Sequence, residues 1–324
     1  MKKILNVVLL ANVLLAFFSS CTPSSGNVFD SEEILQTPNL YDVSLTFSSS
    51  DFTITTRDLS THDDSTRDLS TRAVTSEIPS HLNRLSLKVF DADGGVVTTL
   101  SQKREDLDEN ESFGSLILKL PVGDYTFVAV LHELPSNKLE LASATIISPT
   151  EATLPSSRIY DTYCGVQSAT ITTSADQSLT LALGTRINAQ FRLETLDAVP
   201  EELKSIDMII NPDATNVPSE PTFNPTTGLA TGQWKYEVNL TATTGQVFDR
   251  SFSVLLPEDS QTTLVELNPI NTSNQRVAKY KRILEAVTLQ RNHQTHACGY
   301  LFGQDITPGF TLDTALAGDI SYSF

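Results

Sequence analysis

Positive charge is scarce: the 324 residues hold 22 Lys and Arg against 39 Asp and Glu, for a formal net charge of −17. A surface of that sign repels phosphate backbones, which argues against nucleic acid as a partner, and it gives no electrostatic hold on an anionic membrane. Cysteine is scarcer still. Of the three, Cys164 and Cys298 lie far apart, on different blocks of the chain. Two free, buried thiols are the expected state, although an oxidising compartment would also permit a disulfide. No apolar run reaches the ~20 residues a bilayer-spanning helix needs. No segment keeps a 3.6-residue period over three turns. Gly-x-Ser-x-Gly, phosphate-loop, Cys-x-x-Cys and His-Glu-x-x-His motifs are all missing. His293 and His296 are three apart, which on a strand points them to opposite faces and away from a shared metal. Asp63-Asp64 and Glu201-Glu202 read as solvated charge rather than as acids facing across a cleft. The sequence therefore offers no catalytic group, no cofactor and no metal ligand set, and a role other than catalysis is expected.

The N-terminus does carry information. Met1-Lys2-Lys3 precedes a short apolar stretch interrupted by Asn6 and Asn12, and Phe18-Ser19-Ser20-Cys21 follows. A basic start, a short greasy core and small residues before a cut are the layout of a secretion signal. The last four residues resemble a lipobox, the site where a cysteine thiol is lipidated and the chain is cut just before it. Residues 1–20 are then a lipoprotein signal peptide and Cys21 carries the lipid. Losing Lys2 and Lys3 takes the charge from −17 to −19. Thr22, not Asp, follows the cysteine, so the expected address is the outer membrane, lipid-anchored and surface-exposed. Residues 21–39, rich in Ser, Pro and Gly, read as a tether.

Beyond the tether the chain alternates. Val43, Leu45 and Phe47 mark a first strand, continued by Phe52 and Ile54. Thr56-Arg57-Asp58-Leu59-Ser60-Thr61 then recurs as Thr66-Arg67-Asp68-Leu69-Ser70-Thr71, two copies too few and too polar for a solenoid. Residues 56–76 read as a mobile polar loop whose Arg57, Arg67 and Arg72 would be open to a trypsin-like protease. Leu85, Leu87 and Val89, the turn Asp91-Ala92-Asp93-Gly94-Gly95, and Val96-Val97 read as a hairpin rather than a calcium loop. Leu116, Leu118 and Leu120, then Tyr125, Phe127, Ala129 and Leu131, predict two more strands. A second block begins near Ser178 with Leu179, Leu181 and Leu183. It continues through Ile187 to Leu193, Ile206 to Ile210, Trp234 to Leu240, Phe252 to Leu256, Val265 with Leu267, and Val287 with Leu289. Pro200 to Leu203 could form one helical turn, and Tyr300 and Phe302 close a strand after the turn Arg291-Asn292-His293. Ile320, Tyr322 and Phe324 alternate at the end. Short strands with turn signals between them predict an all-β protein of two β-sandwich domains, 40–170 and 171–324. Trp234 and Tyr236 share a strand face, suited to the core or, less often, to a stacking platform for sugar.

Four pieces together carry a resemblance. Leu85-Ser86-Leu87-Lys88-Val89-Phe90-Asp91-Ala92-Asp93-Gly94 is similar to the first-domain hairpin of Bacteroidales fimbrillin-type proteins, and Leu118-Lys119-Leu120-Pro121-Val122-Gly123-Asp124-Tyr125-Thr126 to their strand–turn–strand. Gly184-Thr185-Arg186-Ile187-Asn188-Ala189 resembles their domain-opening strand. Val287-Thr288-Leu289-Gln290-Arg291-Asn292-His293-Gln294-Thr295, followed by Gly299-Tyr300-Leu301-Phe302, resembles a late signature. The resemblance implies two transthyretin-like Greek-key β-sandwich domains in an outer-membrane lipoprotein that is a structural subunit of fimbriae or a related adhesin. Its partners would be other fimbrial subunits, the membrane through Cys21, and an adhesion target. Subunits of that kind assemble by strand exchange after cleavage at an Arg, here Arg57, Arg67 or Arg72. Ile320, Tyr322 and Phe324 are then either a donor strand or the last strand of the second domain. Stalk, uncleaved anchor and tip roles stay open, and a glycan-binding surface lipoprotein is the alternative.

Overall fold

A computed structural model describes residues 39–50, 78–174 and 177–303, and the backbone of 310–316. Cys21, the 56–76 loop with Arg57, Arg67 and Arg72, and the terminal Ile320, Tyr322 and Phe324 lie outside the described residues. So do Phe52 and Ile54. Alternation governs what is seen. In β1 (Tyr41–Ser48), Val43, Leu45 and Phe47 are buried while Asp42, Ser44 and Thr46 face solvent. β2 (Arg84–Asp91) and β3 (Val96–Lys103) are the expected hairpin. Its turn is held by Asp91 Oδ1, which accepts the amides of Asp93 (3.0 Å) and Gly95 (2.6 Å). Asp91 thus closes the turn with its own side chain, as turn-forming Asp residues do.

β4 (Leu116–Leu120), β5 (Gly123–His132), β6 (Thr145–Ser148), β7 (Glu151–Thr153), β8 (Thr162–Ile171) and β9 (Gln177–Ala182) follow. With β1, β2 and β3, four of them (β4, β5, β8 and β9) form two facing sheets, β4-β1-β9 and β3-β2-β5-β8. Between them lies one core, made of Val43, Leu45, Phe47, Leu118 and Leu181 from the first sheet and Leu85, Leu87, Phe127 and Leu131 from the second. The alternation Leu179, Leu181, Leu183 does not open a new sheet. β9 pairs in parallel with β1, Leu45 opposite Leu179 and Phe47 opposite Leu181. Gly165 of β8 lets the end of β9 come close: a Cβ there would meet the Ala182 carbonyl oxygen at 2.3 Å. Gly165→Ala is accordingly expected to cost about 1–3 kcal/mol through overpacking, read as a lower urea midpoint at unchanged slope.

The remaining strands are β10 (Asn188–Ala198), β11 (Leu203–Ile210), β12 (Thr222–Phe223), β13 (Tyr236–Thr241), β14 (Val247–Leu255), β15 (Ser260–Asn271), β16 (Arg282–Gln290), β17 (His293–Gly299) and β18 (Phe310–Leu316). Two more sheets result, β14-β10-β17-β18 and β13-β11-β15-β16, with β12 joining β7 and β6 in a small third one. Ala189, Phe191, Leu193, Ile206, Met208, Val254, Val265, Leu267, Val287 and Leu289 fill the core of this half. The same cluster runs on into Phe90, Val128, Val130, Ala152 and Cys164. That is why β5 is buried on both faces near its end: one face belongs to the first core, the other to a layer shared with β6, β7 and the second half. The protein is all-β. The helical pieces among the described residues are three-residue 3₁₀ turns, such as Arg104–Asp106.

Two local expectations resolve differently. Pro200 to Leu203 is a tight turn closed by the Leu203 amide on the Pro200 carbonyl, because β11 already begins at Leu203 and leaves no room for a helical turn. Tyr300 and Phe302 lie past the end of β17. The Asp197 carboxylate takes the amides of Leu301 (3.0 Å), Phe302 (2.6 Å) and Gly303 (2.7 Å), so those donors are lost to any ladder. Tyr236 is 5% exposed, donates its hydroxyl to the Leu255 carbonyl and meets Phe252 edge-on. This is the core placement expected for it, not the sugar-stacking alternative.

Candidate strand-exchange site

β1 is the middle strand of its sheet. On one side it runs antiparallel to β4, with Tyr41 opposite Leu120 and Leu45 opposite Leu116. On the other it runs parallel to β9, from Val43 opposite Gln177 to Ser48 opposite Ala182. Its end is fastened by the Leu183 amide to the Ser48 carbonyl (2.7 Å) and by Ser49 Oγ to the Gly184 carbonyl (2.9 Å). Val43 and Leu45 have no exposed surface and Phe47 has 5%. Without this strand β4 and β9 would present two facing, unpaired edges over a trough floored by Leu85, Leu87, Phe127 and Leu131. Such a trough accepts an extended chain with apolar residues at i, i+2 and i+4, because main-chain bonds supply hold and the alternate pockets supply register. Sequence reasoning found the three apolar residues. That their strand is central rather than at an edge it could not find, since β9 comes from more than 130 residues downstream.

Beside the end of this sandwich lies a buried polar junction. Arg186, in the connection from β9 to β10, donates from Nη1 to Asp161 Oδ1 (2.9 Å), and both side chains are almost fully buried. His81 Nε2 stands 3.5 Å from the other carboxylate oxygen. Burial acts to raise the Asp161 carboxyl, but the bond from His81 and the charge of Arg186 outweigh it and hold the group below the usual carboxylate range. Glu133 is pushed the other way, up to about 7, first by burial and then by the nearby Asp161 charge. His132 is driven down to about 4 by burial, and the charge of Arg84 adds to this. Its Nε2 accepts the Ala144 amide (3.1 Å), so the ring is neutral. The two shifts oppose one another. Glu133 contributes stability that is fully present below its ordinary value of 4.5 and is lost as pH rises through about 7. His132 contributes stability present above its ordinary 6.5 and lost as pH falls through about 4. Glu133→Gln removes the first effect alone. The variant is expected to gain roughly 1–3 kcal/mol on the wild type at pH 8 and nothing at pH 4.5, by urea unfolding at both values.

A third cluster sits on the outer face of the sheet β14-β10-β17-β18. β10 and β17 run parallel, with Arg192 opposite His296 and Glu194 opposite Cys298. The ligand atoms of Glu194, His296 and Cys298 all lie within 4.8 Å of one another, and each residue is partly buried. His296 Nε2 is 2.9 Å from Glu194 Oε2. Arg192 makes a two-pronged pair with Asp249 on β14, at 2.8 and 2.7 Å, and stands 3.3 Å from Glu194. Burial, then Glu194, raises the Cys298 thiol. Cys164 is a buried thiol of β8 and donates to the Pro225 carbonyl. Sequence reasoning rejected a metal on His293 and His296 and missed this grouping. Its members come from strands a hundred residues apart, and the available signal is the spacing His296-x-Cys298, two residues on one strand face.

The strand β18, also missed, pairs antiparallel with β17 from Gly299 opposite Phe310 to His293 opposite Leu316. The proposed donor residues Ile320, Tyr322 and Phe324 follow it in sequence.

A family model described as Mfa2, Fimbrillin-A associated anchor proteins Mfa1 and Mfa2, matches residues 41–275. No curated protein matches the chain. Similar solved structures include the fimbrial anchor protein Mfa2 from Porphyromonas gingivalis, at 10% identity and TM-score 0.44 over 86% of this chain and 98% of that one. Another is a fimbrial assembly protein from Parabacteroides distasonis, at 15% identity and TM-score 0.44 over 86% of this chain and 100% of that one.

Proposed function

The chain belongs to the family of fimbrillin-A associated anchor proteins Mfa1 and Mfa2, and from that premise we propose that it is a structural subunit that roots a fimbria in the outer membrane through lipid on Cys21. It meets other subunits by strand exchange, and its two β-sandwich domains divide after β9. The observation that carries the reading is the place of β1. β1, the first described strand after Cys21 in the sequence, is bonded along both edges and buried along one face. A pull on the N-terminal end of β1 along its length shears it against both neighbours at once. Every cross-strand bond to β4 and β9 then resists together, whereas a strand at a frayed edge would peel bond by bond. In this role the chain keeps β1, and the lipid is permanent. Cleavage after Arg57, Arg67 or Arg72 would instead cut β1 from β2, free it for replacement by a donor, and make the protein a stalk subunit. Residues 318–324 supply the strand given to a neighbour.

Intact mass of the protein taken from the cell surface, read together with antibody-labelled electron microscopy, tests this. A chain that starts at lipidated Cys21, with label at filament bases and loose filaments after gene deletion, is the expected result. A chain starting after one of the three arginines, with label along the filament, overturns the anchor role. Deleting residues 318–324 is expected to abolish assembly and leave folding intact.

A further inference from the structure

We propose that Glu194, His296 and Cys298 form a zinc site on the outer face of the C-terminal sheet, with a fourth position open to water. Three different ligand types converge there, and the backbone, not chance side-chain reach, brings them together. The parallel register sets Glu194 beside Cys298 and Arg192 beside His296, and the two-residue period puts all four on one face. Both strands lie inside the sheet, between β14 and β18, so the scaffold is rigid. A tetrahedral zinc with bonds of about 2.0–2.3 Å needs its ligands roughly 3.3–3.8 Å apart. The observed spread, within 4.8 Å, closes by small side-chain rotations.

The donor set selects the metal. One thiolate, one imidazole and one carboxylate suit zinc, whereas calcium and magnesium ask for six or more oxygens. Charge fits as well. With the Cys298 thiol ionised, Glu194, Asp249 and Cys298 bring three negative charges beside the guanidiniums of Arg192 and Arg250, and a divalent cation at the three ligands offsets negative charge there. Arg192 does not block the site, because its two short bonds go to Asp249 and its contact with Glu194 is the longer one. Binding forms the zinc–sulfur bond as the thiol proton passes to solvent, and no electrons are transferred. The bound ion would clamp β17 to β10 and so steady the hairpin that β17 makes with β18.

The test is equilibrium dialysis of the untagged full-length chain against zinc chloride, with thiols kept reduced. One zinc per chain is expected, together with a higher melting temperature. Cobalt(II) in place of zinc should give the near-ultraviolet thiolate-to-metal band of a sulfur-ligated site. Cys298→Ser, His296→Ala and Glu194→Gln should each weaken binding by at least about tenfold, while His293→Ala leaves it unchanged. Stoichiometry well below one at micromolar zinc, a cobalt spectrum without the thiolate band, or full binding by Cys298→Ser overturns the proposal. The cobalt spectrum is read on the wild type, so that arm holds even where a variant folds poorly.

Discussion

A chain that begins at residue 50 does not fold its N-terminal sandwich, and a peptide of residues 40–49 added in trans restores it. Removing β1 withdraws Val43, Leu45 and Phe47, all buried, from a single core. At about 1.5–3 kcal/mol for each fully buried side chain, the three together rival the 5–15 kcal/mol that holds an ordinary domain. The loss of hydrogen bonds along both β4 and β9 adds to this, since the exposed edges lie over an emptied trough. The peptide supplies both at once. Tyr125 and Tyr163 line this core, so near-ultraviolet circular dichroism reports on its packing. The signal should be absent in the truncated chain, return with the peptide, and stay absent with a peptide carrying Leu45→Asp, which would bury an unpaired carboxylate. A truncated chain that unfolds cooperatively at the wild-type midpoint would show that β1 is dispensable and that the trough is not a strand-binding site.

The same result bears on what a sequence reader can see. Local alternation was legible in much of the chain: Val43 to Phe47, Leu85 to Val89 and Val287 to Leu289 became strands with the anticipated residues buried, and Phe252 to Leu255 became a strand buried on both faces. The Asp91 hairpin was legible too, because the residues that make the turn lie within five positions. Long-range partners were not. Leu179 to Leu183 alternates just as a domain-opening strand would, and nothing in those residues says that their neighbour is β1. Tyr300 and Phe302 kept the period of two beyond the true strand end, which is set by Asp197 a hundred residues earlier. Glu194, His296 and Cys298 share a face only because β10 and β17 run parallel in one particular register. Their partners, like those of β1, are fixed by sheet order, which periodicity does not encode.

Arg186 and Asp161 give the other large effect. Arg186→Met is expected to cost about 3–5 kcal/mol, since it strands a buried carboxylate beside a partial partner, His81. The loss should depend on pH. In the wild type the depressed Asp161 carboxyl contributes stability that is present above the ordinary carboxylate range and lost as pH falls through its folded value. In Arg186→Met most of that acid-side dependence disappears, so the two proteins converge at low pH and diverge near neutrality. A double variant, Arg186→Met with Asp161→Leu, should recover most of the loss, because an apolar pair of similar volume carries no desolvation cost. Recovery would mean that the ion pair adds little net stability and that its worth lies in geometry: Arg186 stands in the connection between β9 and β10, and Asp161 directly before β8, so the pair fixes where the second half of the chain departs from the first. Failure to recover, with the double variant as weak as the single one, would mean instead that the charged bond itself holds the junction closed.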